Sequence, residues 1–450
     1  MSLVDTVAAA GLVARTHPLD LPPGARPDLI AAAGANGHLW IADGYGLAGR
    51  GVALRLPLPG GLAGSDAVAA AGEALASVGH TGPDPVTDAG RSPGPEPRGP
   101  RPGPVALGAL PFDRAAPAEL VLPRALVTWD GRRAWLTTID GGGGGSDADG
   151  TDAERLGAEA ASAALGPPAD RGPRAPDGFD LRSARPHDEW CRVVADTVER
   201  IREGAFGKVV LARRVDVVAN GPLPTGQILE RLAALYPACM VFRVGGFLGA
   251  SPELLVRRRG DTVASHPLAG TVARSGDASA DRSLVEGLLA SAKDRAEHAF
   301  VIDDLRARLQ PWCAELRVPE RPSVLELRNV SHLETRLTGR LRPDRPRPSA
   351  LQLAAAVHPT PAVAGTPTEA ACAHIRAVEG FDRGPYAGPV GWMDAAGDGD
   401  WAIGIRSAVV DGPRASLFAG VGLIADSDPA AELAETQLKL QALLAAVVRP

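Results

Sequence analysis

The chain of 450 residues contains little cysteine and no long apolar run. Its four cysteines lie far apart without any C-x-x-C pair: Cys191, Cys239, Cys313 and Cys372. This spacing argues against a zinc site, an iron–sulfur cluster and a disulfide framework. Nowhere do about eighteen apolar residues follow one another, and Asp5 occupies a position where a signal peptide would carry basic charge. We therefore expect a protein of the reducing cytoplasm with no membrane partner.

The sequence also lacks a strong excess of either charge. The formal net charge is −6, and basic and acidic residues are mixed along the chain. No basic surface for nucleic acid and no polybasic membrane segment is indicated. The apolar residues, 45% of the chain, are enough for one large domain or two to three ordinary ones. A small molecule is therefore the expected partner.

Three segments rich in glycine or proline interrupt the chain. Residues 79–104 and 140–152 have no apolar periodicity and are predicted to be flexible surface loops. The proline-rich segment 166–178 ends a strand-rich N-terminal portion, residues 1–178, and precedes a denser portion, residues 186–450. This segment is either a boundary between layers or a connection within one continuous domain.

The apolar patterns predict an α+β fold. Short strands followed by turns favour antiparallel hairpins in the N-terminal portion, at residues 38–42, 51–58, 105–110, 119–129 and 132–139. The C-terminal portion begins with a helix at 188–203 and then alternates strands with long helices. The hairpin LLVRRRGDTVASH, with its turn at Gly260-Asp261, favours antiparallel sheets over a doubly wound parallel one.

A glycine motif at 44–49 matches the G-x-G-x-x-G pattern of dinucleotide-binding loops. A strand follows it, whereas phosphate binding requires the N-terminus of a helix at that point. We therefore interpret the motif as a hairpin loop.

Two helices carry carboxylates at positions that allow two interpretations. In the helix 291–309, Glu297 extends an apolar stripe and Asp294 lies just beyond it, which fits either a solvated helix end or a functional site. In the C-terminal helix, Glu432, Glu435 and Lys439 share one face. They form either an ordinary surface ion pair or part of an all-oxygen site suited to Mg²⁺.

Other candidate residues lie at the ends or on the faces of strands. Lys208 opens the apolar run KVVLARR, and the pattern alone is explained by a lysine whose stem packs while its ammonium reaches water. Glu253 follows a Ser-Pro turn, where it is either solvated or a general acid whose pKa is raised by burial. Arg406 is expected on a strand face beside small residues. Gly420 and Gly422 share a strand face, which indicates either tight helix packing or close approach of a ligand.

A set of segments spanning residues 186–450 in order resembles the chorismate-utilising enzymes, and among them the isochorismate synthases most. The segments are KVVLARR (208–214), GASPELLV (249–256), PLAGT (267–271), KDRAEH (293–298), HPTPAVAG (358–365), FDRGPYAGPVGWM (381–393), GIRS (404–407), FAGVG (418–422) and E-x-x-E-x-x-x-K (432–439). The segment ALGALPFD at 106–113 is also similar to the family. Each motif alone is weak, but the ordered set is specific.

This resemblance implies an α/β sandwich of large antiparallel sheets, with helices outside and a cleft that binds chorismate and Mg²⁺. By position, Glu297 and Glu435 would hold Mg²⁺, with Asp294 and Glu432 as further carboxylates acting through water. The metal would contact the carboxylate on the substrate ring. Arg406 and Lys439, with the backbone at Gly420, would hold the enolpyruvyl carboxylate at the other end. Thr271 and Tyr386 are the further expected substrate-binding residues.

The resemblance also implies the reaction. Relatives that add ammonia carry Gln at the position of Lys208, and aminodeoxychorismate synthases carry a nucleophilic Lys at the position of Ala269. With Lys208 as base and Glu253 as acid, water would attack C2 of chorismate as the C4 hydroxyl leaves, which gives isochorismate. Salicylate synthases share these residues and are the alternative. The resemblance further implies a monomer and leaves menaquinone and siderophore biosynthesis equally open.

Overall fold

The computed structural model describes residues 11–83, 99–141, 148–166 and 175–448. The strands are β1 (Val13–Leu19), β2 (His38–Ala42), β3 (Tyr45–Arg50), β4 (Leu54–Leu58), β5 (Gly79–Thr81), β6 (Val105–Ala109), β7 (Ala118–Leu122), β8 (Ala125–Trp129), β9 (Ala134–Asp140), β10 (Phe179–Ser183), β11 (Lys208–Ala219), β12 (Met240–Val244), β13 (Phe247–Ser251), β14 (Leu254–Arg259), β15 (Thr262–His266), β16 (Leu268–Ala273), β17 (Cys313–Arg317), β18 (Ser323–Glu326), β19 (Val330–Glu334), β20 (Leu337–Leu341), β21 (Gly365–Thr366), β22 (Pro389–Asp394), β23 (Gly399–Ile403), β24 (Ser407–Asp411) and β25 (Arg414–Leu423).

The helices of the described residues are α1 (Leu29–Ala33), α2 (Ser65–Ala76), α3 (Ala148–Leu165), α4 (His187–Arg202), α5 (Thr225–Leu235), α6 (Ala278–Ala290), α7 (Ala292–Leu309), α8 (Ala350–Val357), α9 (Thr368–Val378) and α10 (Pro429–Val448), with a 3-10 turn at Gly61–Ala63. Helix α10 begins at Pro429, where the carboxylate of Asp428 accepts the backbone N–H groups of Ala430 and Ala431 and so caps the helix. No helix in the described ranges is long and apolar enough to cross a membrane.

The strands form two large sheets and one small sheet. The first large sheet has the order β10-β11-β25-β24-β13-β12-β2-β3-β8-β9-β1-β5, with β21 paired to β11. The second has the order β17-β20-β15-β14-β23-β22-β6-β7-β4, and the small sheet the order β16-β19-β18. Neighbouring strands of the described chain run antiparallel except β1 and β5. The predicted α+β class with large antiparallel sheets is confirmed.

Both large sheets combine strands from the two portions distinguished in the sequence. In the first sheet, Val241 of β12 pairs with Ile41 of β2. In the second, Val390 of β22 pairs with Ala109 of β6. The N-terminal strands therefore extend sheets whose other strands come from the C-terminal portion.

Large apolar side chains fill the space between the two large sheets. Trp40 and Phe242 of the first sheet share one buried cluster with Leu107 and Trp392 of the second. Helices cover the outer faces: α10 packs on β25 of the first sheet, and α8 packs on β14 of the second. This arrangement leaves one end of the first sheet, at β11 and β25, next to the small sheet and helix α7.

Several local predictions need correction. The motif at 44–49 does belong to a hairpin, but only Gly44 lies in the turn, and residues 45–50 form β3 against β2. The predicted strand at 51–58 shortens to β4, and the predicted strand at 119–129 is two strands, β7 and β8.

The predicted loops are only partly correct. Residues 79–81 form β5 beside β1, and residues 148–152 already belong to α3. The remainder of these loops at 84–98 and 142–147, and residues 167–174 of the third segment, lie outside the described residues. Helices α2 and α3 were not predicted, because much of their buried surface is alanine, including Ala153, Ala160 and Ala164 of α3. A small alanine side chain does not distinguish the buried face of a helix from its exposed face in the sequence.

Candidate active site

A cavity of about 310 Å³ lies where β11 and β25 meet β16, α7 and α10. Its lining contains every site residue singled out in the sequence: Lys208, Glu253, Thr271, Asp294, Glu297, Tyr386, Arg406, Gly420, Glu432, Glu435 and Lys439. These residues span more than half of the chain, so the fold alone brings them together.

Lys208 stands at the first position of β11 and is 1% exposed. Its ammonium nitrogen lies 2.8 Å from Oε1 of Glu297 on α7. The interpretation of a lysine that reaches water is therefore wrong. Gly422 on the neighbouring β25 leaves room for this pair, because a Cβ there would lie 2.7 Å from Cε of Lys208. The predicted close approach at the glycine pair thus involves two cavity side chains.

Glu253 lies in the two-residue connection between β13 and β14 and is 3% exposed. The backbone N–H of Leu268 donates to its Oε1 over 3.4 Å. Burial raises the pKa of Glu253 to about 8, although this N–H and the ammonium groups of Lys208 and Lys439 act in the opposite direction. At neutral pH the Glu253 carboxyl therefore holds a proton, and the solvated interpretation is wrong.

Helices α7 and α10 bring four carboxylates to the cavity. Burial favours the neutral form of Glu297, but the ammonium of Lys208 outweighs it and lowers the pKa of this carboxyl. On α10, Oε1 of Glu435 lies 2.6 Å from the ammonium of Lys439. Burial, with the adjacent charge of Glu435, raises the pKa of Glu432 to about 7. Asp294 lies in the first turn of α7 opposite Gly270, and a Cβ at Gly270 would lie 3.3 Å from the Oδ1 of Asp294.

These carboxylates fit a divalent cation in their chemistry. Mg²⁺ takes oxygen ligands, and proteins hold it through one or two carboxylates while water and substrate complete the shell. Within the described ranges, no three carboxylate, histidine or cysteine groups already converge as a closed metal site. An open site of Glu297 and Glu435 suits the ion, because a cation there would offset the negative charge that these carboxylates bring to the cavity.

Arg406 faces the cavity from a different local structure than predicted. Strand β23 ends at Ile403 and β24 begins at Ser407, so Arg406 lies in the connection and not on a strand face. Its backbone φ of 51° is in the left-handed region. Residues other than glycine adopt this conformation only when the surrounding structure holds them in it. The left-handed backbone directs the guanidinium to the cavity wall.

His332 on β19 holds the Arg406 guanidinium and was missed in the sequence. The guanidinium donates to Nε2 of His332 over 3.1 Å. The proton of His332 therefore sits on Nδ1, which lies 3.2 Å from the carbonyl of Gly270 and 3.1 Å from the hydroxyl of Thr271. Burial and the charge of Arg406 lower the pKa of His332 well below its usual range. In sequence, one histidine in VSHLE carries no distinctive signal.

Tyr386, Gly420 and Lys439 line the wall formed by β25. The ring of Tyr386 stacks on Phe418 with centroids 4.9 Å apart, and a Cβ at Gly420 would lie 3.0 Å from the tyrosine hydroxyl. The ammonium of Lys439 donates to the carbonyl of Gly420 over 3.0 Å. Cationic and hydroxyl donors thus line the same cavity as the carboxylates, and such donors suit the anionic groups of a ligand.

Comparison with known proteins shows which family has this arrangement. Residues 96–448 match the family described as chorismate binding enzyme. The chain belongs to this family. The chorismate-binding resemblance noted in the sequence is thereby confirmed.

Similar family members include isochorismate synthase DhbC of Bacillus subtilis, 36% identical over 76% of this chain and 81% of that protein. The salicylate biosynthesis isochorismate synthase of Pseudomonas aeruginosa is 45% identical over 58% of this chain, and the match spans 55% of its own length. The solved structure of the menaquinone-specific isochorismate synthase MenF from Escherichia coli covers 99% of this chain and 98% of its own, with a TM-score of 0.78 and 24% identity. It shares the chorismate-binding fold.

Proposed function

We propose that this family member is an isochorismate synthase, which converts chorismate to isochorismate. One observation carries the proposal: a protonated carboxyl, Glu253, and a buried amine, Lys208, line the same cavity. Exchange of a hydroxyl between two ring positions needs one group that gives a proton and one that takes a proton. The relatives named isochorismate synthase support the same assignment.

The proposed reaction balances within this pair. Water forms a bond to C2 of chorismate, and the bond from C4 to its hydroxyl breaks as the ring double bonds shift. In the reacting state Lys208 must be the neutral amine, so that it can take a proton from the attacking water. Glu253 gives its proton to the departing hydroxyl, so a second water is released. Burial keeps the Glu253 proton available at neutral pH.

Charges around the cavity would orient the substrate. The guanidinium of Arg406, held by His332, and the ammonium of Lys439 would bind the enolpyruvyl carboxylate. Glu297 and Glu435 would hold Mg²⁺ at the other end, with Glu432 and Asp294 behind them. When bound, the ion would neutralise the ring carboxylate beside these four acidic side chains.

Two residues favour water over ammonia as the nucleophile. Lys208 occupies the position where ammonia-adding relatives carry Gln, and Ala269 lines the cavity where aminodeoxychorismate synthases carry Lys. No covalent intermediate on residue 269 is therefore expected.

The test is product analysis. The purified chain is incubated with chorismate, with Mg²⁺ or with excess chelator, and the products are separated by chromatography. Isochorismate formed only with Mg²⁺ is the expected result. Salicylate with pyruvate would establish the alternative, a salicylate synthase, and unchanged chorismate under all conditions would exclude both activities.

A further inference from the structure

Lysine is almost absent from this protein, and its distribution is uneven. The chain has 47 lysine and arginine residues, of which only Lys208, Lys293 and Lys439 are lysine. All three line the same cavity, together with Arg383 and Arg406. Every basic residue elsewhere in the chain is arginine, so a lysine occurs only where a ligand would bind.

The chemistry of the two side chains explains why this distribution carries information. An arginine serves well wherever a fixed, always charged group pairs with a carboxylate or covers the surface. A lysine offers a compact charge on a flexible stem that can follow a moving ligand. This chain uses arginine for its other Lys or Arg positions, so the three lysines single out the cavity as the place where a basic side chain acts on a ligand.

Two of the three lysines form ion pairs with carboxylates of the cavity. Lys208 pairs with Glu297, and Lys439 pairs with Glu435. Lys293, in the first turn of α7, differs because it is solvent-exposed and makes no ion pair with any described residue. Its side chain nevertheless lines the cavity together with Glu297 and Glu432.

We infer that Lys293 is a substrate-capture residue at the mouth of the cavity. The four carboxylates in the cavity lining oppose the entry of a dianion, and the exposed ammonium of Lys293 in the same lining offsets this repulsion. Lys293 therefore accelerates productive binding and takes no part in the proton transfers. This inference rests on the proposed chorismate activity.

The first test separates capture from chemistry. For Lys293→Gln at low ionic strength we expect kcat/KM to fall about tenfold while kcat changes less than about twofold. Lys293→Glu should lower kcat/KM by about a hundredfold, and Lys293→Arg should restore most of it. The dependence of kcat/KM on ionic strength should become shallower in Lys293→Gln, because one attractive charge is lost.

Arg295→Gln is the matched control. Arg295 is exposed on the same helix, and its guanidinium donates to the carbonyl of Leu289 over 3.1 Å, away from the cavity lining. The control removes the same charge and should leave kcat/KM within about twofold. Equal losses in both variants, or an unchanged salt dependence in Lys293→Gln, would overturn the inference.

The second test does not depend on turnover. A water-soluble amine-acylating reagent is applied to the protein, and the modified peptides are identified by mass spectrometry. Lys293 should react faster than Lys208 and Lys439, whose side chains are 1% and 16% exposed, and chorismate should protect it. Reaction at Lys293 that chorismate does not slow would contradict a capture role. If the unmodified protein neither binds nor converts chorismate, the proposed function itself fails.

Discussion

Two groups of buried charges in this protein differ in how completely they are paired. The sheet cluster consists of Tyr45, Arg257, Arg259 and Asp400. The fully buried Asp400 accepts from Nε of Arg257 over 2.9 Å, lies 2.8 Å from Arg259 and accepts the hydroxyl of Tyr45. Burial favours a neutral Asp400, but the two guanidinium groups outweigh it and lower the pKa of this carboxyl.

The cavity cluster consists of Lys208, Glu253, Glu297, Glu432 and Glu435. At two of these carboxyls burial outweighs the neighbouring positive charges, and the pKa values rise to about 8 for Glu253 and about 7 for Glu432. A fully compensated cluster is compatible with a structural role, whereas uncompensated carboxyls cost stability and mark sites that act on a ligand. The comparison predicts that the cavity cluster controls activity and the sheet cluster controls stability.

The largest expected effect is on catalysis. Lys208→Ala and Glu253→Gln should each lower kcat by at least about 10³-fold, because a proton donor or acceptor is lost. Glu253→Gln should leave the unfolding temperature nearly unchanged, since the amide resembles the protonated carboxyl already present. Chorismate turnover and thermal unfolding are measured on the same samples. Retained turnover in either variant would remove that residue from the reaction.

The next effect should appear in the sheet cluster. Asp400→Asn leaves two buried guanidinium groups without their shared carboxylate and should lower the free energy of unfolding by about 3–5 kcal/mol. Denaturant titration measures this change. The kcat/KM of the folded variant should stay within about threefold of the unsubstituted protein, because Asp400 is not in the cavity lining. A loss of activity without a loss of stability would contradict the structural role assigned to the sheet cluster.

A smaller effect should appear in the pH dependence of stability. Because the pKa of Glu432 rises from 4.5 to about 7 on folding, the folded state binds more protons, and stability falls as pH increases through this range. Glu432→Gln should remove about 1–3 kcal/mol of this fall. Denaturant titrations at pH 5 and pH 8 compare the two proteins. At pH 8, Mg²⁺ should stabilise the unsubstituted protein more than the variant. If the free energy of unfolding changed equally with pH in both proteins, the protonation of Glu432 would not be the cause of the fall.

The smallest effect concerns a single hydrogen bond of the sheet cluster. Tyr45→Phe removes one donor to Asp400 while both guanidinium partners remain, and it should cost about 1 kcal/mol of unfolding free energy. The same titration as for Asp400→Asn measures it. A loss as large as that of Asp400→Asn would show that the hydroxyl, and not the charge balance, dominates this cluster.

Local sequence patterns predicted the helices and turns correctly where the structure depends on residues that are neighbours in the chain. Helix α4 lies within one residue of its predicted bounds, because its apolar residues repeat at helical spacing. The hairpin of β14 and β15 turns at Gly260 and Asp261 as predicted. Patterns failed where alanine carries the buried surface, as in α3, and where a left-handed backbone interrupts a strand, as at Arg406.

The sequence by itself determined the fold class, the family and the chemical types of the candidate site residues, since motifs in a fixed order retain these features. Only the tertiary structure decided that Lys208 is buried against Glu297, that the Glu253 carboxyl holds its proton, and that His332 supports Arg406. Burial and charge balance depend on groups that are distant along the chain. For this reason the same lysine before VVLARR allowed two interpretations in the sequence and has one environment in the fold.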